Sequence, residues 1–153
     1  MEKMVIALDV DGTLYDGGVV AEAATLALQR ARADGHTLVI VTGRRWESLR
    51  QVVPTVVGLC DRAVCEEGGV LVDVATGELV LLAEPVEPAV VAGLLAAGVP
   101  ELDVGHVVVG APSAWIATVE AVRAATGSRR HLVVNKASVA LAPEGCDKGT
   151  GLR

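Results

Sequence analysis

The chain has 153 residues, 52% of them hydrophobic and 2% aromatic, with no Phe and a formal net charge of −6. That length and apolar content allow one substantial core with room for a small insert, and lie far from the composition of disordered segments. The acidic balance and the scarcity of aromatic rings exclude a nucleic-acid surface built on base stacking, and leave any attraction for an anionic substrate to local groups.

In chain order, residues 4–8 predict a buried strand that runs straight into Asp9-Val10-Asp11-Gly12-Thr13-Leu14. Side chains at i and i+2 of a strand share a face, about 6–7 Å apart. Two carboxylates at that spacing repel by about 2–3 kcal/mol at an effective dielectric of about 20, so a cation is expected beside them. Carboxylates at the carboxyl end of a central strand, with a hard metal ion and a phosphate, would make a phosphoryl-transfer site. Asp9 could attack phosphorus, and Asp11 could protonate a leaving alcohol and later deprotonate water. Gly12 lets the chain turn off the strand. A calcium loop of the EF-hand kind fails, because Gly falls at its position 4, position 12 is Val20 and a strand precedes it.

Residues 20–33 predict a helix with Ala24, Leu28 and Ala31 on one face, stopped by Asp34-Gly35. Thr37–Val41 is a fully apolar strand that ends in Thr42-Gly43-Arg44, where a hydroxyl and free amides at the start of a helix would cradle a phosphate. That helix is expected from Arg44 to about Val53, checked by Pro54. Ala63–Cys65 is a short third strand. Strand–helix–strand–helix–strand with continuously apolar strands predicts an α/β fold, its parallel sheet covered on both faces.

The pattern then changes. Val70–Val74 and Glu78–Leu82 read as a hairpin, followed by a helix at about Glu87–Ala97, a strand at Val104–Val109 and a second helix at about Ser113–Thr126. Two strands, His131–Asn135 and Ser138–Leu141, complete a small α+β module with Pro85, Pro88 and Pro143 near its edges. Lys148, in Pro143-Glu-Gly-Cys-Asp-Lys-Gly-Thr, is placed to open a helix and to offset crowded carboxylates. The order Lys-Gly-Thr rules out a P-loop.

His36, His106 and His131 are scattered without ligand spacing and read as non-catalytic, and Trp46 and Trp115 read as packing residues. Arg44-Arg45 and Arg129-Arg130-His131 read as solvated basic faces, with Arg44 close to the cradle. Cys60, Cys65 and Cys146 have no C-x-x-C spacing and read as buried, inert thiols. The apolar runs are all too short for a membrane span, which with the cysteine pattern predicts a reduced, cytoplasmic protein without a membrane partner.

Three ordered segments resemble the haloacid dehalogenase (HAD) superfamily. Asp9-Val-Asp-Gly-Thr-Leu is similar to its first motif, Val39-Ile-Val-Thr-Gly-Arg to its second and Pro143-Glu-Gly-Cys-Asp-Lys-Gly to its lysine motif. Glu66-Glu-Gly-Gly-Val-Leu-Val is similar to the Glu-Asn-Gly-Gly stretch of the Cof-like branch, subfamily IIB. The resemblance implies a Rossmann-like core at residues 1–82 and 143–153, with a C2-type cap at 83–142. It implies an Mg²⁺-dependent phosphatase acting on a small phosphorylated metabolite through an aspartyl-phosphate. Asp9 would be nucleophile and metal ligand, and Asp11 acid/base and metal ligand through its carbonyl. Thr42 and Gly43 would bind the phosphoryl group beside Gly12 and Arg44, and Lys148 would steady Asp9. The family's fourth motif, a Gly-Asp pair followed by a further Asp, does not occur in these 153 residues. The sequence therefore leads one to expect an unpaired sheet edge and weakened metal binding. The alternatives it leaves open are a non-catalytic module that self-associates through that edge, and phosphoryl transfer to an acceptor other than water.

Overall fold

The computed structural model describes residues 2–153. The first sheet has five strands in the order β1-β4-β5-β6-β7. β1 (Val5–Leu8), β4 (Thr37–Val41) and β5 (Arg62–Cys65) run parallel, and β6 (Val70–Asp73) and β7 (Leu79–Leu81) add antiparallel rungs. A hairpin of β2 (Tyr15–Asp16) and β3 (Val19–Val20), not anticipated from the sequence, follows the aspartate turn. The helices α1 (Glu22–Ala33), α2 (Trp46–Val52) and α3 (Pro54–Leu59) connect the parallel strands. Leu38, Ile40, Leu49, Val56 and Ala63, each 0% exposed, form the centre of the core between them. No helix among the described residues is long and apolar enough to cross a membrane.

The second sheet is antiparallel, in the order β10-β11-β9-β8. It comprises β8 (Asp103–Val104), β9 (Val109–Pro112), β10 (His131–Val134) and β11 (Ser138–Ala142). Helices α4 (Pro88–Ala96) and α5 (Ile116–Thr126) pack on one another and on this sheet. Val90, Leu94, Val119, Val139 and Leu141 form a second apolar cluster there. α5 stops at Gly127, which takes the left-handed φ of 68° that favours glycine.

Three sequence expectations need correction. β1 is an edge strand, not a central one: it pairs with β4 alone, and Val5 is 68% exposed. The helix expected to be checked by Pro54 is checked there, α2 ending at Val52. Steric conflict drives Val53 out of the helical region (φ −131°, ψ 55°), and the proline then starts α3, where its missing N–H costs nothing. The strand expected at Val104–Val109 is broken over residues 105–108, because the amides of His106, Val107 and Val108 donate to the Glu66 carboxylate rather than to a neighbouring strand. Lys148 lies in a turn that leads into a 3₁₀ turn at Thr150–Leu152, not at the head of a helix.

The basic cluster at 129–131 is also not a solvated face throughout. Arg129 is 83% exposed in its side chain, but Arg130 is 4% exposed. Its guanidinium donates to the Glu87 carboxylate and to the carbonyls of Val107, Glu84 and Pro85. Burial works against the Glu87 charge, yet the bonds from Arg130 and Ser128 hold its carboxyl below the usual range. Arg130 thus ties the start of β10 to the segment that leads out of the first sheet and to the turn between β8 and β9. Replacing it with Met should destabilise the protein by about 2–4 kcal/mol in urea unfolding, since the carbonyls lose their donor. Arg129→Met should change stability by less than about 0.5 kcal/mol.

Candidate active site

The carboxyl ends of β1, β4 and β5 open on one side of the first sheet, and the second sheet stands across from them. Between the two lies a cleft of about 860 Å³. Asp9, Asp11, Gly12, Gly43, Arg44 and Lys148 line it from the first sheet and its loops, and Asp103, Asn135, Lys136 and Ser138 line it from the second.

Asp9 follows the last residue of β1, and Lys148, 139 residues later, places Nζ 3.1 Å from Asp9 Oδ1. This is the cation that the two crowded carboxylates demand. Both members are about two-fifths exposed toward the cleft, so the pair is accessible to a ligand. Asp11 has its own partner. Arg44 donates through Nε to Oδ2 and through Nη2 to Oδ1, both at 2.8 Å, a two-pronged pairing that fixes orientation as well as charge. The bonds to Asp11 raise the Arg44 guanidinium above its ordinary value. Gly12, at φ 74°, turns the chain between the aspartates and the β2–β3 hairpin. Arg45 Nε lies 2.5 Å from Asp103 Oδ1, but its N–H is not aimed at that oxygen, so the two are a close charge pair across the cleft mouth rather than a hydrogen bond.

Thr42 is 1% exposed and does not line the cleft. Its Oγ1 accepts the Arg44 N–H at 3.2 Å, which shapes the turn that presents Gly43 and Arg44. The sequence-predicted residues therefore divide: Asp9, Asp11, Gly12, Gly43, Arg44 and Lys148 meet at the cleft, and Thr42 sits beneath them.

The turn at residues 66–69 carries the resemblance to the Cof-like branch, and the resemblance implies no role for it. Here it is the meeting point of three segments. A Cβ on Gly43 would lie 2.0 Å from Glu67 Oε1, so Glu67 packs directly on the cradle. A Cβ on Gly68 would lie 1.9 Å from the Asp147 carbonyl, so the lysine loop rests on bare backbone. Glu66 is 1% exposed and takes the amides of residues 106–108. The Gly68-Gly69 pair was the one legible hint of close backbone approach. The positive φ of Glu66 (51°) and Glu67 (55°) was not legible at all.

Among the described residues, no cluster of three or more His, Cys, Asp or Glu side chains could enclose a metal ion. What the cleft does offer is the Asp9 carboxylate and the Asp11 carbonyl, which none of the turn hydrogen bonds occupies. Those are hard oxygen donors of the sparse kind that Mg²⁺ accepts when waters and a substrate phosphate complete its shell. Thiol chemistry has no place here: Cys60 and Cys65 are buried and their thiols are pushed up to about 12, chiefly by that burial.

Comparison with known proteins places the chain by family and by fold. Residues 6–119 match the profile of the haloacid dehalogenase-like hydrolases. A haloacid dehalogenase-like hydrolase from Bacteroides thetaiotaomicron superposes with a TM-score of 0.80 at 14% identity, over 99% of this chain and 75% of that one. A HAD subclass IIB sugar phosphatase gives 0.71 at 16% identity, over 99% and 74%. The C-terminal domain of Candida albicans trehalose-6-phosphate phosphatase gives 0.65 at 17% identity, over 96% and 59%. A search of curated proteins by sequence finds no match.

The contact of Gly68 with Asp147 can be tested against a glycine of similar backbone conformation in open space. Gly77→Ala, at φ 73° with nothing within 4 Å, should cost about 1–2 kcal/mol from its left-handed backbone alone. Gly68→Ala should cost more than about 3 kcal/mol, because strain and a backbone collision add. Denaturant titration of the two variants checks the difference.

Proposed function

This chain belongs to the haloacid dehalogenase-like hydrolase family, and we propose that it is a phosphatase that hydrolyses a small phosphorylated metabolite through an aspartyl-phosphate on Asp9. The observation that carries this reading is the Lys148–Asp9 pair at 3.1 Å, formed at the mouth of a cleft beside Asp11 and the Gly43–Arg44 turn. A carboxylate held in place by an ammonium and left open to solvent is oriented to attack, and the surrounding amides and cations favour an approaching phosphoryl group.

In the first step an Asp9 oxygen bonds to phosphorus as the bond from phosphorus to the alcohol oxygen breaks. Asp11 supplies the proton that the departing oxygen takes up. In the second step Asp11 takes a proton from water, whose oxygen bonds to phosphorus as the acyl-phosphate bond from phosphorus to the Asp9 oxygen breaks, and phosphate leaves. Both Asp11 oxygens are occupied by Arg44 in this structure, so either proton transfer requires one prong of that pairing to open. Thr42 contributes from below, by holding the turn that presents the Gly43 amide. Mg²⁺ would be held by the Asp9 carboxylate and the Asp11 carbonyl, and would supply positive charge against the phosphoryl oxygens. Residues 83–142 are the part of the chain we assign as a lid, standing over the cleft to exclude water and meet the organic part of the substrate.

The second reading, a binding module without turnover, draws support from the occupied Asp11 and from the absence, among the described residues, of any cluster of three side chains that could hold a metal. One experiment separates the two. Hydrolysis of p-nitrophenyl phosphate should require Mg²⁺ and fall by at least about 10³-fold in Asp9→Asn, with Lys148→Met lowering kcat by about 10²-fold. Phosphate binding that saturates without turnover, in the presence of Mg²⁺, would favour the module.

A further inference from the structure

The mechanism leaves one buried charge without a role. Glu66 is 1% exposed, and its carboxylate is satisfied by main-chain amides of the segment that precedes β9. His106 N–H donates to Oε1 at 3.2 Å, and the amides of Val107 and Val108 donate to Oε2 at 2.8 and 3.2 Å. Three converging N–H groups form a nest that suits an anion. Among the described residues the one ionisable side chain bonded to it is His106, with Nδ1 3.3 Å from Oε1. Arg130 holds the other side of the same segment through the Val107 carbonyl.

Glu66 is placed for this by a left-handed backbone, and the residue after it, also left-handed, rests on the phosphate cradle at Gly43. Strained non-glycine residues persist where the surroundings over-determine them, and they concentrate at functional sites. The second sheet is therefore anchored to the first at the turn that also supports the cradle and the lysine loop.

We propose that Glu66 is a positioning residue for the reaction. Its carboxylate fixes the root of the second sheet to the end of β5, and so sets the height at which Asn135, Lys136 and Ser138 stand over Asp9. It touches no substrate. What is positioned rests on the phosphatase reading, whereas the tether itself rests on geometry alone.

Glu66→Gln keeps the shape but turns one acceptor oxygen into an NH₂ that faces amide donors. Gly105→Ala strains the same tether from the other side, since its Cβ would come within 2.4–2.8 Å of the Glu66 carboxyl atoms. Each variant should raise hydrogen exchange at the amides of residues 106–108 by more than about tenfold. Each should also raise KM for p-nitrophenyl phosphate by about fivefold or more with kcat within about threefold, because binding by the lid is lost and the chemistry is not. KM for acetyl phosphate, too small to reach the second sheet, should stay within about twofold. A merely structural residue would not divide the two substrates. Folded Glu66→Gln with wild-type exchange, or with equal KM changes for both compounds, overturns the proposal. Where Glu66→Gln does not fold, the same results in Gly105→Ala overturn it. If the unaltered protein turns over neither compound, the phosphatase reading fails and the exchange comparison decides the tether by itself.

Discussion

Crowding of negative charge at the carboxyl end of one parallel sheet is the constraint around which this molecule is organised. Asp9 and Asp11 leave β1 two residues apart, Glu66 and Glu67 leave β5 together, and Asp103 faces them from the second sheet. Repulsion among such groups is large on the scale of a protein's net stability, so partners have to be built in. Asp9 is met by Lys148, Asp11 by Arg44 and Asp103 by Arg45. Glu66 is met by main-chain amides, which a fully buried carboxylate can use where a lysine would itself need solvation. Each cation lies far along the chain from the carboxylate it meets, so satisfying the carboxylates also closes the fold around the cleft.

The same constraint explains why the two sheets meet where they do. Val107 and Val108, between β8 and β9, and Ala142, the last residue of β11, pack into the core of the first sheet. The amides beside them would be stranded in that apolar setting without an acceptor, and Glu66 supplies it. Arg130 does the converse for the carbonyls of Glu84 and Pro85 in the segment that leads from the first sheet to the second. Donor-rich and acceptor-rich stretches of irregular backbone are thus each resolved by one side chain of the right charge.

Much of this was legible in the residues and some was not. The apolar strands and the three motifs were readable because strand burial and carboxylate spacing are local properties. Thr37–Val41 appears in the structure with the bounds the sequence predicted. An open sheet edge was expected, but that β1 forms it was not readable, because strand order depends on pairing between segments distant in sequence. Nor was the break at 105–108: Val107 and Val108 continue the apolar run into β9, and only a carboxylate 40 residues away diverts the amides. Arg130 looked like its exposed neighbour Arg129 because composition carries no information on burial. Thr42 was expected at the surface of the cradle, yet its hydroxyl is turned to the Arg44 amide one layer down.

The central claim is that Asp9, steadied by Lys148, is the group that takes the phosphoryl unit. Mass spectrometry of protein quenched in acid after reaction with acetyl phosphate and Mg²⁺ tests it most directly. The account predicts one added phosphoryl group on the peptide that carries Asp9. A phosphoryl group found only on other peptides, or turnover with no labelled protein at any time, would contradict it.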